Sequence, residues 1–397
     1  MKIHRLFFPV FMALLLSSCM DLDQYTEECA CCIDESGTAN CYIISEPGAF
    51  SFDASVMGNG DEGLVADAHF TDGMGNVLTS AAINTDGTNP QGAVVWKDQS
   101  LSIINVIYIP ETKRIEFIVG DKGNAVIALY DDVNGNRFIE EGERIIWSWH
   151  IWVADQPQAQ LYKFRFGVAW KNRYTMMDRN LGALTADPGV TYEDSLGTYG
   201  LFYQWGRKDP FVSPIGVASL KAKVVYGKAT TYNTDGVGTT LGYAIQHPSQ
   251  FIVGNGNSHW LATPNDALWG NASGSASPQK TIYDPCPPGW MVPSQDAWDA
   301  CFLVESNNNT FGTFSRGWFF GYNGYAATAD RTWYPAQGNL NATSGAYTNV
   351  GYEGSYWAGR PYNAKMACAL FFNATQVQPL TTAPYAQALP VRCAKAW

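Results

Sequence analysis

Short apolar segments that alternate with polar residues constrain the fold of this chain more than any other feature of its sequence. They occupy the region between residues 41 and 153. Residues 101–119 show the pattern best, because two apolar arms, 103–108 and 115–118, flank the turn Pro110–Lys113. About eight short strands at this spacing are typical of an antiparallel β-sandwich.

The composition agrees with a turn-rich β structure. The 397 residues include 38 Gly and 20 Pro, which favour turns, and 46% of the chain is hydrophobic, which is enough to form large cores. A net charge of −11 repels phosphate groups, so we exclude nucleic acid as a partner. The length is typical of two domains, or three.

A change of composition predicts a domain boundary within residues 154–161, which are polar, contain a proline and lack periodicity. Before it, Trp147, Trp149 and Ile151 share one face of a strand, and we expect this face to meet a core. After it, Trp, Tyr, Gly and Asn become more frequent and helical periodicity is rare. The clearest predicted helix begins at Ser294, a favoured N-cap residue.

The N-terminus predicts export and a lipid anchor. The apolar stretch Phe7–Leu16 follows basic residues, is too short to span a bilayer and is typical of a signal peptide. The segment Leu16–Cys19 then resembles a bacterial lipobox, so we expect loss of residues 1–18 and acylation, including palmitate, at Cys19. The alternative is a plain signal peptide with a chance cysteine. The lipobox predicts an outer-membrane protein exposed at the cell surface, with a cysteine-containing tether over residues 19–40.

Eight further cysteines follow Cys19. An even number of cysteines in an exported chain favours disulfides, although the sequence alone does not determine which cysteines pair. A cluster near the N-terminus also has the residue types of a four-thiolate zinc site, which export disfavours because thiolates oxidise outside the cell. The cluster consists of Cys29, Cys31, Cys32 and Cys41.

Residues 132–143 have the spacing of a twelve-residue calcium loop. Side chains that carry oxygen occupy positions 1, 3, 5, 9 and 12 of the loop, which are Asp132, Asn134, Asn136, Glu140 and Glu143. Arg137 departs from the pattern at position 6, where the sharp turn requires glycine, and no flanking helices are evident. The alternative is an Asn-Gly hairpin with solvated acids at its tip. A structural calcium ion is the one cofactor that the sequence predicts.

Several motifs follow one another in the second half of the chain: Tyr174–Gly182, Gly197–Arg207, Asp284–Trp298, Gly321–Tyr325, Gly354–Trp357 and Pro390–Cys393. In this order they resemble the Fibrobacter succinogenes major paralogous domain of Bacteroidetes-type surface lipoproteins, over residues 160–397. The segment Asn40–Phe52 resembles the β domain that accompanies this module. The resemblance implies a β-rich protein with two domains. An N-terminal antiparallel β-sandwich would span residues 41–155, and an α+β domain similar to C-type lectins and formylglycine-generating enzymes would follow.

The formylglycine-generating enzymes use a reactive cysteine pair, which the family resembled here does not preserve as a rule. We predict instead that Cys286 and Cys393 form a disulfide that closes a loop of about 107 residues. Free buried thiols and a catalytic role are the alternatives. Cys301 and Cys368 either form a second bridge or remain free in the core.

Aromatic residues crowd the end of the chain, and we expect most of them to fill the core. Flat rings also stack on sugars and anchor protein partners. We therefore predict a ligand-binding face that consists of Trp333, Tyr334, Tyr352, Trp357 and Arg360. The sugar-binding loop motifs of C-type lectins are absent, which disfavours calcium-dependent sugar binding by this domain.

These features favour a surface lipoprotein that is not an enzyme and that acts in adhesion or binds a glycan or protein ligand. One form of this role is a fimbrial tip or accessory component, with fimbrial subunits as partners. An enzyme or glycan-processing component is a second hypothesis, with Asp178, Glu193, Asp194 and Asp209 as its candidate acids. A purely structural surface protein is the third. No nucleophile elbow or zinc-protease motif occurs in the sequence, which favours the first hypothesis.

Overall fold

A computed structural model describes residues 30–60, 70–166, 169–216, 220–234, 239–254, 258–270, 279–298, 310–311, 313–321 and 331–396. The predicted signal peptide, the lipidated Cys19 and the clustered Cys29 lie outside the described residues. Cys301 also lies outside them.

The first half of the chain forms short strands joined by turns, as predicted. They are β1 (Cys31–Cys32), β2 (Cys41–Ile44), β3 (Gly48–Asp53), β4 (Pro90–Asp98), β5 (Ile103–Ile109), β6 (Arg114–Val119), β7 (Gly123–Asp131) and β8 (Ile145–Val153). The predicted hairpin is confirmed, because β5 and β6 pair antiparallel on either side of the turn at Lys113, which has φ of 56°.

The second half is also dominated by strands, which confirms a β-rich chain. Its elements are β9 (Ala159–Phe166), β10 (Ala169–Met177), α1 (Tyr192–Ser195), β11 (Phe202–Gln204), β12 (Val225–Gly227), β13 (Thr231–Asn233), α2 (Leu241–Gln246), β14 (Gln250–Ile252), β15 (Trp290–Met291), β16 (Thr310–Phe311), β17 (Gly317–Gly321), β18 (Arg331–Pro335), β19 (Asn339–Leu340), β20 (Tyr347–Thr348), β21 (Gly354–Asn363), β22 (Met366–Phe372), β23 (Val377–Pro384), β24 (Ala388–Pro390) and β25 (Ala394–Lys395).

The helix predicted at Ser294 is only a single 3-10 turn in its described part, Gln295–Ala297. The Ser294 side chain makes no capping hydrogen bond to this turn, so the N-cap that motivated the prediction does not form. Residues 299–309, which would continue the helix, lie outside the described residues.

Two sheets, formed mainly by strands of the first half, pack face to face as a sandwich. One has the strand order β1-β3-β6-β5, and the other has the order β12-β4-β7-β8-β2. The buried ring of Phe52 joins them, because its centroid lies 4.9 Å from the rings of both Tyr42 and Trp149. Most pairings are antiparallel, but β1–β3 and β2–β8 are parallel.

Strand β8 is buried on both faces, not only on the face that the sequence predicts. The alternate residues Ser148, His150 and Trp152 are at most 1% exposed. They are covered because the second half of the chain packs against them. Trp152 Nε1, for example, donates a hydrogen bond of 3.0 Å to the carbonyl oxygen of Ala183.

The predicted boundary at residues 154–161 lies largely in the connection between β8 and β9, but it does not separate two cores. Strand β12 from the second half pairs with β4 and forms an edge of the sandwich. Asn40 Nδ2 donates to the carbonyl oxygens of Ile282 and Asp284, at 2.7 and 2.9 Å. One cluster of buried residues runs from Ala39 to Cys393. The two halves therefore share a hydrophobic core.

Candidate functional site

The predicted calcium loop joins β7 to β8 at one end of the five-stranded sheet. Asp132 directly follows β7 and is only 1% exposed, whereas residues 133–138 are exposed. The loop therefore has a buried carboxylate at its base and a solvent-accessible tip. This placement agrees with both the calcium interpretation and the hairpin interpretation of the sequence.

Backbone N–H groups surround the carboxylate of Asp132. Gly135 N and Asn136 N donate to Oδ1 at 2.9 and 3.2 Å, and Arg137 N donates to Oδ2 at 3.1 Å. These bonds wrap the chain around the carboxylate, so that the side chains that follow are held close to it.

The carboxylate of Glu143 closes the other end of the loop. Oε1 accepts a hydrogen bond of 3.1 Å from Val133 N, and Oε2 accepts one of 3.0 Å from Glu140 N. The Asn134 side chain meets the Glu140 side chain, with 2.9 Å between Nδ2 and Oε2. These contacts link loop positions 3, 9 and 12, which come from the two ends of the loop.

Arg137 is the residue at which the sequence departs from a calcium loop. Its φ of 64° lies in the left-handed region, which glycine adopts without strain. A non-glycine residue pays about 1–2 kcal/mol for this conformation. The backbone at position 6 therefore makes the sharp turn that the pattern requires, although the residue is not glycine.

The described residues contain no group of three or more His, Cys, Asp and Glu side chains arranged to hold a metal ion. The three acids of the loop, Asp132, Glu140 and Glu143, do not form such a group by themselves, and the loop adds the amide oxygens of Asn134 and Asn136 to them. The zinc interpretation of the cysteine cluster gains no support. Cys31 and Cys32 are exposed on β1, whereas Cys41 is buried on β2 of the other sheet.

Three of the five predicted ligand-binding residues are core residues, which corrects the prediction. Tyr334 and Trp357 are fully buried, and Trp333 is 6% exposed. Trp357 Nε1 donates to the carbonyl oxygen of Tyr203 at 2.7 Å, and Trp333 Nε1 donates to Thr198 Oγ1 at 3.1 Å. These rings have no open face on which a ligand can stack.

The other two predicted residues, Tyr352 and Arg360, are exposed but do not form one site. Tyr352 precedes β21, and Arg360 lies near its far end. The part of β21 from Gly354 to Arg360 alone extends about 20 Å, at about 3.3 Å per residue, which keeps the two side chains apart. Arg360 instead shares the tip of the β21–β22 hairpin with Tyr362, which is 65% exposed. The sequence analysis missed Tyr362 as a ligand residue, because no local pattern distinguishes an exposed tyrosine from a buried one.

The structure bonds Cys286 to Cys393, with 6.1 Å between their Cα atoms. The carboxylate of Asp284 holds the turn before β15, because it accepts hydrogen bonds from Cys286 N at 2.8 Å and from Val292 N at 2.9 Å. Burial raises the pKa of Asp284, and nearby Lys280 opposes that rise. These contacts stabilise the turn at Cys286, and they give this cysteine a structural role.

Cys368 is a buried free thiol in β22, and burial raises its pKa to about 11. Of the two alternatives for Cys368, a second bridge or a free core cysteine, the structure therefore shows the free thiol.

Ser148, Lys208 and Asp209 have the residue types of a nucleophile with a base, but they are buried together. Lys208 Nζ lies 2.6 Å from Ser148 Oγ and 2.7 Å from Asp209 Oδ1. All three are at most 4% exposed. The cavity beside Lys208 and Asp209 has a volume of about 10 Å³, room for about one water molecule. A substrate does not reach this cluster.

Cys41 and His150 stand opposite each other on β2 and β8. Burial raises the pKa of Cys41 well above its usual value and lowers that of His150 to about 3. Both shifts favour the neutral forms, whereas a cysteine nucleophile requires a thiolate. The pair therefore has the electrostatics of core residues.

Three of the four acids of the enzyme hypothesis have structural partners, and the fourth, Glu193, is exposed in α1. Asp178 forms an ion pair of 2.9 Å with Arg179. Asp194 completes a capping box with Thr191 at the start of α1. Asp209 belongs to the buried cluster described above. The structure therefore does not bring these acids together as a catalytic pair.

No known family, curated protein or solved structure matches this chain significantly. Within the described ranges, no helix has the length and apolar character needed to cross a membrane.

Proposed function

We propose that this chain is a lipid-anchored protein of the bacterial cell surface that binds a glycan or protein ligand and is not an enzyme. The observation that carries the proposal is a set of exposed tyrosines in the second half. Tyr226, Tyr232, Tyr352 and Tyr362 are 69%, 50%, 65% and 65% exposed. Exposed tyrosines suit binding surfaces, because a large ring with few rotatable bonds loses little entropy when it is fixed.

The tip of the β21–β22 hairpin is our candidate for the ligand face. Arg360, Tyr362 and Lys365 are all exposed there. The Asn363 side chain accepts hydrogen bonds from Lys365 N at 2.8 Å and from Met366 N at 3.0 Å, which fixes the turn. A preorganised tip lowers the entropy that binding costs. Arg360 is the predicted ligand residue that this face retains.

The charge of the tip supports an acidic ligand. Two cations flank Tyr362, in a chain whose net charge is −11. A local cationic patch on an acidic protein attracts anionic groups while the rest of the surface repels them. We therefore propose an acidic glycan or an acidic protein segment as the ligand.

The finer features of the resemblance remain part of this proposal. We propose that residues 160–397 have a C-type lectin-like fold and that the protein serves as an adhesin, including as a fimbrial tip or accessory component. The order of the motifs supports this fold, and the lipobox-like Leu16–Cys19 supports the anchor. The buried reactive groups support binding rather than catalysis.

A glycan array and immobilised acidic proteins test the ligand proposal on the whole mature chain, since the two halves share a core. We expect Tyr362→Ala and Arg360→Ala to weaken binding at least tenfold without changing the melting temperature. Tyr226→Ala is the matched control, because it removes an equally exposed tyrosine from β12. Equal losses in all three variants would overturn the hairpin tip as the ligand face.

Further assays on the same protein distinguish between the competing functions. Turnover of any polysaccharide in a broad panel would replace the binding proposal with an enzyme. Binding to nothing on either array would favour a structural role. For the anchor, labelled palmitate should be incorporated into the protein and absent from Cys19→Ala. Labelling of the variant would refute lipidation at Cys19.

A further inference from the structure

A buried carboxylate without a basic partner lies at the base of the loop 132–143. Asp132 is 1% exposed, and none of the ion pairs among the described residues includes it. The nearby basic residue Arg144 faces Asp131 instead, at 3.8 Å. Three backbone N–H groups donate to this carboxylate, but no cation among the described residues offsets its charge. Buried charges in proteins are usually paired or coordinate metal ions, because desolvation of a charge is costly.

A second, independent observation comes from Tyr130, on the same face of the chain as Asp132. Its side chain is fully buried and its hydroxyl has no hydrogen-bond partner. Ile139 of the loop packs against the buried cluster that contains Tyr130, so this tyrosine lies beneath the loop. Buried polar atoms without a partner are rare and require an explanation. A water molecule bound to a cation at the loop carboxylates would donate a hydrogen bond to this hydroxyl.

We propose that residues 132–143 bind one calcium ion through the side-chain oxygens of Asp132, Asn134, Asn136 and Glu143, with Glu140 bound directly or through water. Calcium takes six to eight oxygen ligands of this kind. The Phe138 carbonyl occupies position 7, where calcium loops use a backbone oxygen. Magnesium fits less well because it demands a near-ideal octahedron and releases its water reluctantly.

The bound ion stabilises the connection between two central strands. Asp132 follows β7, and Glu143 lies two residues before β8. A ligand that binds only the folded chain raises its stability through mass action. This inference is independent of the ligand face at the β21–β22 hairpin, so the failure of one proposal does not affect the other.

Calorimetry on the whole mature chain, stripped with EDTA, tests the site directly. We expect calcium to bind with a Kd of about 10⁻⁴ to 10⁻³ M, the range of extracellular calcium modules. The melting temperature should rise with calcium and stay unchanged with the same concentration of magnesium. No heat and no shift at about 10 mM calcium, above that whole range, would overturn the proposal.

Substitutions in the loop test whether calcium binds at residues 132–143. Glu143→Gln should weaken calcium binding at least tenfold, and the exposed Glu140→Gln provides a milder change in case the first variant folds poorly. Glu111→Gln in the β5–β6 turn is the control, because it removes an exposed acid from another hairpin. Terbium luminescence that calcium displaces from the native protein should be lost in Glu143→Gln. Unchanged calcium affinity in both loop variants, or an equal loss in Glu111→Gln, would place the ion elsewhere.

Discussion

Ser148 Oγ donates a hydrogen bond of 2.6 Å to Asp209 Oδ1 across the predicted domain boundary. Ser148 belongs to strand β8 of the sandwich, and Asp209 belongs to the second half of the chain. Lys208 Nζ contacts both side chains. A core tolerates such polar groups because they satisfy one another. The cluster therefore holds the two halves in one relative position.

Replacing Asp209 by alanine should destabilise the protein by about 3–5 kcal/mol, because Lys208 would remain buried without its counter-charge. Chemical denaturation measures the loss. Asp155→Ala is the control, since Asp155 pairs with Lys122 while 67% exposed. That change should cost less than about 1 kcal/mol. Similar losses in the two variants would mean that the buried pair adds nothing to the fold.

Breaking the Cys286–Cys393 bridge should lower the free energy of unfolding by about 2–5 kcal/mol. The bridge spans 107 residues, so its loss frees a long loop in the unfolded chain. The check is the melting temperature of Cys286→Ser against that of Cys31→Ser, which removes an exposed free thiol. Equal melting temperatures, or two free thiols at these positions in the native protein, would contradict a stabilising disulfide.

Stability should fall as the pH drops below about 6.5, the unfolded pKa of histidine. Burial lowers the pKa of His150 to about 3 and that of His259 to about 4. Between these limits the unfolded chain gains protons that the folded chain does not bind. Each histidine therefore removes up to about 1.4 kcal/mol per pH unit. His150→Gln should show a shallower decline, and parallel curves for variant and native protein would refute the assignment.

Trp357→Ala should unfold the protein rather than remove a ligand contact. Trp357 is fully buried, and its Nε1 bonds to the carbonyl oxygen of Tyr203. Truncation of a buried tryptophan costs about 3–5 kcal/mol. Circular dichroism during heating should show the loss in Trp357→Ala and no change in Tyr362→Ala. A stable Trp357→Ala protein that fails to bind ligand would restore the original interpretation of this residue.

The local parts of the fold follow from the sequence. Alternating residues and turn chemistry predict the two strands of the β5–β6 hairpin to within one residue at each end, because strand period and turn preference act between near neighbours. Of the helix predicted at Ser294, only the 3-10 turn Gln295–Ala297 lies within the described residues, and the predicted N-cap hydrogen bond does not form there. The calcium spacing was visible in sequence, whereas the left-handed backbone at Arg137 was not.

The sequence by itself determined the β-rich class, the position of the connection between the halves and the spacing of the oxygen-bearing side chains in residues 132–143. Tertiary structure decided which aromatic rings are covered and that both faces of β8 are buried. It also decided that, within the described part of the chain, Asp132 is buried without a basic partner and the Tyr130 hydroxyl has no hydrogen-bond partner. The physical reason is how far apart in the sequence the interacting residues lie. Strand alternation and turn preference depend on adjacent residues, whereas burial and charge pairing depend on segments that meet only after folding.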